Sequence, residues 1–143
     1  MKSALLIGSA LFVSALPSAA SAEPVLLISI DGLQPADILK SEERGIQVPN
    51  LKQFITNGTY ADKVKGVLPT VTYPSHATLL TGVSPAKHGI VGNNSFDPMQ
   101  INQGGWYWYA TDFKVPTLWD AAAKAGLSTA NIHWPVSVQA KAV

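Results

Sequence analysis

The hydrophobic positions of this chain fall into two kinds of stretch that alternate along its length. Residues 24–30 (PVLLISI) form a continuous apolar run rich in Ile, closed by Asp31-Gly32. Such runs suit a parallel strand buried on both faces. Residues 59–68 (TYADKVKGVL) alternate in their middle and read as a second strand, and residues 127–134 (LSTANIHW) as a further one. Between them lie helical patterns punctuated by Pro and Gly. Residues 35–40 predict a short helix, followed by a solvated turn at Glu42, Glu43, Arg44 and Gly45. Pro49 suits a first helical position, with Leu51, Phe54 and Ile55 at helical spacing behind it and Asn57-Gly58 as the stop. Another helix opens at Pro74-Ser75-His76 and runs to Thr81, stopped by Gly82, with Thr72 in the loop ahead of it. The last covers residues 116–125 and ends at Gly126. Apolar strands that end in polar loops with helix between them predict βαβ units with right-handed crossovers, hence an α/β fold. Residues 104–109 (GGWYWY) carry an unbroken run of aromatics. A hairpin or edge strand packed on the core is the expected use, and a stacking wall for a nucleobase the alternative.

The first 22 residues change the picture of where the protein works. Lys2 precedes an apolar run, residues 4–16, which Pro17 breaks before Ala20-Ser21-Ala22 supplies a cleavage signal. One charge, a short apolar core and small residues at the cut describe a secretory signal peptide. The run is shorter than the roughly 20 residues a membrane helix needs, and no later stretch is apolar enough to span. Residues 23–143 are therefore read as the mature protein, exported to a periplasm or secreted. Without Lys2 the charges balance, nine Lys plus Arg against nine Asp plus Glu. A neutral chain without a basic run is a poor binder of nucleic-acid backbone. The absence of cysteine excludes thiolate metal sites and Cys nucleophiles.

Candidate chemistry centres on residues 68–93. Thr72 stands just ahead of a helix start, in the positive potential of unpaired backbone N–H groups, where a phosphate or an alkoxide nucleophile is stabilised. An ordinary helix cap explains the same hydroxyl. Asp31 ends the first strand, the place where α/β sheets gather ligand-binding residues, although an Asp-Gly pair also makes a plain turn. If both face one cleft, the carboxylate is a hard oxygen ligand for a metal that activates the hydroxyl.

The motifs then carry a resemblance. Ile28-Ser29-Ile30-Asp31-Gly32, Pro69-Thr70-Val71-Thr72-Tyr73-Pro74-Ser75-His76, Thr81-Gly82 and His88-Gly89-Ile90-Val91-Gly92-Asn93 occur in that order. Together they resemble the amino-terminal part of the nucleotide pyrophosphatase/phosphodiesterase family, within the alkaline phosphatase superfamily. The resemblance implies a three-layer α/β sandwich around a mostly parallel sheet, of which residues 23–143 would be the amino-terminal portion. It implies metal-dependent hydrolysis of phosphodiesters or pyrophosphates through a phospho-threonine intermediate, on a small nucleotide-like phosphate ester. By the same resemblance Asp31 is a ligand of one ion in a two-zinc site, and Thr72 is the zinc-bound nucleophile. Asn93 hydrogen-bonds a phosphate oxygen, and Tyr73 packs on the base of the leaving nucleoside. The sulfatase branch would need a C/S-x-P-x-R pattern, which is absent; a phosphomonoesterase of the same superfamily remains the alternative within the enzyme class. Ser75 stands where Asn is the more familiar residue.

His76, His88 and His133 match no zinc-ligand position of the family, and structural roles are expected for all three, His76 fixing its loop and His133 on a strand. The family's later ligands, an Asp-x-x-x-His motif, an Asp-His pair and a further His, have no counterpart here. Asp31 and Thr72 alone cannot complete a tetrahedral site. The expectation is a truncated catalytic domain that by itself neither holds zinc tightly nor turns over. A non-catalytic remnant that captures phosphate esters is the rival reading.

Overall fold

The computed structural model describes residues 23–102 and 104–143. The signal-peptide reading of residues 1–22 lies outside the described residues. The chain divides into two units, the first ending at Ile30 and the second comprising Asp31–Val143. Of the first, residues 23–30 are described, and they run without helix or strand pairing.

The second unit is helical where the sequence is punctuated by Pro and Gly. Helix α1 (Pro35–Leu39) has Pro at its first position, and the Asp37 carboxylate accepts the Gln34 N–H at 3.1 Å. Helix α2 (Pro49–Asn57) begins at the proline and ends against Gly58, as expected. Helix α3 (Thr72–Thr81) buries Pro74, Ala77 and Leu80. Its C-cap, Gly82, has φ 69°, and the Gly82 N–H closes on the Thr78 carbonyl at 2.8 Å. A left-handed cap of this kind strains any residue with a Cβ. Helix α4 (Pro85–His88) is a single turn, and a 3₁₀ turn covers Ala110–Asp112. Helix α5 (Leu118–Lys124) starts two residues after Pro116, because Thr117 takes the N-cap. The Asp120 N–H donates to Thr117 Oγ1 at 3.3 Å, and the Thr117 N–H donates back to Asp120 Oδ2 at 2.7 Å. This reciprocal pair satisfies two of the helix's orphan donors.

The expected strands are not formed among the described residues. Residues 24–30, 59–68 and 127–134 carry no strand pairing, so neither the βαβ order nor a three-layer sandwich around a parallel sheet is present there. His133, placed on a strand by its pattern, sits exposed with φ 56°. The physical reason is that a strand satisfies its backbone only laterally, whereas a helix does so within itself. Among the described residues pairing is limited to two isolated bridges, Asn94 with Trp106 (antiparallel) and Tyr109 with Val138 (parallel). The aromatic run thus begins and ends at single bridges of opposite sense, with a tight turn between them where the Trp108 N–H meets the Trp106 carbonyl at 3.0 Å. The expected hairpin or edge strand is not formed among the described residues. Ser95 N–H and Tyr107 N–H bond across the first bridge, to Gly105 O and Asn93 O.

A small core sits where α3 meets the chain after α4. Ala77, Ile90 and Val136 are buried there, and Tyr73, Tyr107 and Phe113 pack around them. Trp119 of α5 is also buried. Among the described residues no helix is long and apolar enough to cross a membrane.

Candidate active site

Helix α3 begins at Thr72 itself, so the threonine is the first helical residue and not the loop residue ahead of it. The N-cap is Val71, which makes no side-chain cap bond. The Thr72 hydroxyl is therefore not a cap. It donates instead to Asp31 Oδ2 at 3.0 Å, across 41 residues of sequence. Asp31 lies in the Asp31-Gly32 turn, where Gly32 has φ 76°, and is exposed, while Thr72 is half-buried.

The next backbone group in the helix is engaged by the second motif. Tyr73 N–H donates to Asn93 Oδ1 at 2.9 Å. Pro74 has no N–H, so the orphan donors at this helix start are reduced to few, and one of them is covered by Asn93. With Oδ1 committed to Tyr73, the Asn93 Nδ2 is the donor left to meet an anion beside Thr72. Asn93 is itself fixed by its carbonyl, which accepts from Tyr107 N–H at 3.2 Å. Asp31, Thr72, Tyr73 and Asn93, the candidates drawn from three separate motifs, are thus linked by hydrogen bonds at one end of α3.

Two neighbours brace this arrangement. His76 donates from Nδ1 to the Thr72 carbonyl at 2.8 Å, and its ring meets Trp134 edge-on with centroids 5.3 Å apart. This is the local, loop-fixing contact expected of it, and the i, i+4 spacing of Thr72 and His76 is its sequence signal. The Tyr73 ring lies 5.3 Å from that of Trp106, which in turn lies 6.1 Å from Trp108. Burial pushes the Tyr73 hydroxyl above the ordinary tyrosine range, so it stays neutral. Nothing in the pattern of residues 104–109 singled out Trp106 as the one that reaches Tyr73; the approach depends on the Asn94–Trp106 bridge. Two shallow clefts, one along α2 at Asn50, Phe54 and Asn57 and one beside α5 at Trp119 and Asp120, contain neither Thr72 nor Asn93.

Asp31 Oδ2 and Thr72 Oγ1 are hard oxygen donors close enough to share one cation. A zinc site takes three or four protein ligands, and among the described residues no group of three or more His, Cys, Asp or Glu could hold a metal. The residues present supply two positions of a coordination shell and do not fit a whole one.

With this geometry in hand, comparison with known proteins assigns the family. The model of type I phosphodiesterases/nucleotide pyrophosphatases matches residues 25–142. The chain belongs to that family. It is 30% identical over 132 residues to a venom phosphodiesterase of Macrovipera lebetinus, covering 85% of this chain and 14% of the relative. It is 30% identical over 122 residues to the ectonucleotide pyrophosphatase/phosphodiesterase family member 3 of Rattus norvegicus, covering 80% and 13%. It is 35% identical over 105 residues to a bis(5'-adenosyl)-triphosphatase of Mus musculus, covering 73% and 21%. The chain thus spans only a small part of the length of the curated relatives it matches. No solved structure matches.

Proposed function

We propose that residues 23–143 are the amino-terminal portion of an exported, metal-dependent phosphodiesterase/nucleotide pyrophosphatase, and that Thr72 is its nucleophile. The observation that carries this reading is the Thr72–Asp31 hydrogen bond. A threonine at a helix start that leaves the backbone uncapped and turns to a distant carboxylate is placed for chemistry rather than for helix stability.

In the proposed reaction the Thr72 hydroxyl proton passes to solvent by way of Oδ2 of the exposed Asp31. Thr72 Oγ attacks the phosphorus in line, a P–Oγ bond forms, the bond from phosphorus to the leaving oxygen breaks, and the leaving oxygen takes a proton from water. Water then hydrolyses the phospho-threonine and returns the hydroxyl. Asp31 Oδ2 fixes the hydroxyl hydrogen and so directs the oxygen lone pairs away from itself. Asn93 Nδ2 meets an equatorial phosphoryl oxygen, where charge concentrates during transfer. The Tyr73 face, braced by Trp106, receives the aromatic base of a nucleotide-like substrate; the triphosphatase named among the relatives supports that substrate class. We assign the remaining metal ligands, and the α/β sandwich that would gather them, to the longer protein of which this portion is a part.

The test is hydrolysis of bis(p-nitrophenyl) phosphate by the full-length protein with zinc. Thr72→Ala is expected to lower kcat/KM by about 10³-fold or more, with Thr72→Ser retaining part of the rate. Residues 23–143 alone are expected to show no turnover. Undiminished hydrolysis by the alanine variant would end the nucleophile assignment, and zinc-dependent turnover by the isolated portion would end the division of ligands.

A further inference from the structure

His88 is fully buried, at 0% exposure, although it closes a helix of a single turn. Three elements hold its ring. From its own loop, the Ile90 N–H reaches Nδ1 at 3.1 Å. From α3, Thr78 Oγ1 lies 3.0 Å from Nε2. From beyond the aromatic run, Phe113 meets the ring edge-on at 6.4 Å. The backbone is fixed as well. The Lys114 N–H donates to the His88 carbonyl at 3.0 Å, and the Lys114 stem lies so close over Gly89 that a Cβ there would come within 2.9 Å of it.

These contacts determine the tautomer. A backbone N–H can only donate, so Nδ1 is the bare nitrogen and the neutral ring carries its hydrogen on Nε2. Nε2–H then faces Thr78 Oγ1, with the Pro74 carbonyl also within its electrostatic reach. Proline has no N–H to offer, so its backbone acts there as an acceptor. The imidazole is thus a two-ended connector. One end holds the helix that begins with Thr72, and the other holds Ile90, three residues before Asn93.

We propose that His88 is the positioning residue that sets the Asn93 side chain against the start of α3, and so over Thr72. The two segments are joined near the site by Tyr73 N–H to Asn93 Oδ1, and one core layer deeper by Thr78 to His88 to Ile90. Either link alone leaves a hinge; together they fix both position and angle. An apolar side chain of similar size would fill the volume but leave the Ile90 N–H buried without an acceptor, which drives the loop to move until water reaches it. The inference rests on the reading of Thr72 and Asn93 as the reacting pair, and goes beyond it by naming what holds them in register.

The experiment is NMR on uniformly ¹⁵N-labelled residues 23–143 carrying Leu26→Lys and Val64→Lys, two exposed positions that make none of the His88 contacts and whose charges hold the protein in solution. Long-range imidazole correlations should report His88 with Nε2 protonated and Nδ1 bare, and the Tyr73 amide should exchange slowly because Asn93 covers it. Thr78→Val is nearly isosteric, is expected to fold, and breaks only the Nε2 end. It should speed Tyr73 exchange by about tenfold while the Leu80 amide, deeper in α3, stays unchanged. His88→Leu should speed it further. His88→Asn, which keeps an acceptor for Ile90, should recover part of the protection. A His88 tautomer with hydrogen on Nδ1, or Tyr73 exchange indifferent to Thr78→Val, overturns the proposal even if the His88 variants fail to fold. The failures are separable: if Thr72→Ala stays active while the exchange results hold, the functional reading falls and the connector remains.

Discussion

Residues 72–93 and residues 59–68 are separated by three residues of sequence and differ in how they are held. The first stretch is closed by α3, by its left-handed glycine stop, by the His88 connector and by the Asn93–Tyr73 bond. Its core residues Ala77, Leu80 and Ile90 are nearly or fully buried. The second stretch has comparable apolar content, yet Val64 and Leu68 are each more than four-fifths exposed. No strand pairs with it among the described residues. The difference lies in where each segment finds its hydrogen-bond partners. A helix and its caps complete themselves within about a dozen residues, while a strand waits for a neighbour that the chain must bring from elsewhere. The proposed nucleophile sits on the self-completing side of that boundary.

The largest effects should come from breaking the closed stretch at its reacting end. In the full-length protein, Asn93→Ala removes both the cover of Tyr73 N–H and the donor to the phosphoryl oxygen. It is expected to lower kcat by about 10²- to 10³-fold, read in steady-state kinetics beside Thr72→Ala. A change confined to KM would show Asn93 to be a binding group only.

Next is the packing beneath it. Ile90 is fully buried against Ala77 and Val136. Ile90→Ala should cost about 2–5 kcal/mol in chemical denaturation, enough to unfold a marginal domain. Val64→Ala in residues 23–143 should cost less than about 0.5 kcal/mol, because Val64 is exposed. Equal costs would erase the contrast between the two stretches. The same contrast predicts association. Val25, Leu26, Val64, Leu68 and Ile132 expose large apolar side chains on unpaired segments, and such surfaces self-associate. Light scattering should find residues 23–143 aggregated, and lysine at positions 26 and 64 should reduce it. A monodisperse wild-type monomer would count against this.

Two smaller effects are pH-dependent. Burial pushes the His88 imidazole below the usual 6.5, the Pro74 carbonyl opposing. The unfolded chain then binds more protons than the folded one below that pH. Stability should be level above pH 6.5 and fall as pH drops through the window beneath it. The Thr117 N–H and hydroxyl hold the Asp120 carboxyl below its usual 3.8. Its contribution is fully present above that pH and lost as pH falls further. Asp120→Asn should flatten this acid limb, and Thr117→Ala, which keeps the N–H and loses the hydroxyl, should cost about 0.5–2 kcal/mol at neutral pH. An acid limb unchanged in Asp120→Asn would remove Asp120 as its source.

The same boundary explains what was legible in the sequence. Helices α1 and α2 begin at the prolines that predict them, and α2 and α3 stop at their glycines, because those signals are local, whereas α3 begins at Thr72, two residues ahead of the expected Pro74. The start of α5 was misplaced by two residues because Pro116 is visible as a helix starter, whereas the Thr117–Asp120 exchange of bonds is a subtler pattern. The three strands rest on hydrophobicity alone, and hydrophobicity states only that a segment seeks burial, not that its partner is at hand. Asp31, Thr72, Tyr73 and Asn93 were nameable from ordered motifs. Their hydrogen bonds span 41 and 20 residues and could not be read from spacing. His88 was expected to be structural. That its two ring nitrogens tie α3 to the Asn93 loop emerges only from the packing.

The central claim is that the Thr72 hydroxyl, aimed at Asp31 and not at its own helix, accepts the phosphoryl group. The direct measurement is acid quench of the full-length protein during turnover of a nucleotide diester, followed by peptide mass spectrometry. The account predicts one phosphate, on Thr72 itself, lost in Thr72→Ala and accumulating when hydrolysis of the intermediate is slowed. Steady turnover with Thr72 unmodified, or with the phosphate on Ser75 or Thr70, would contradict it.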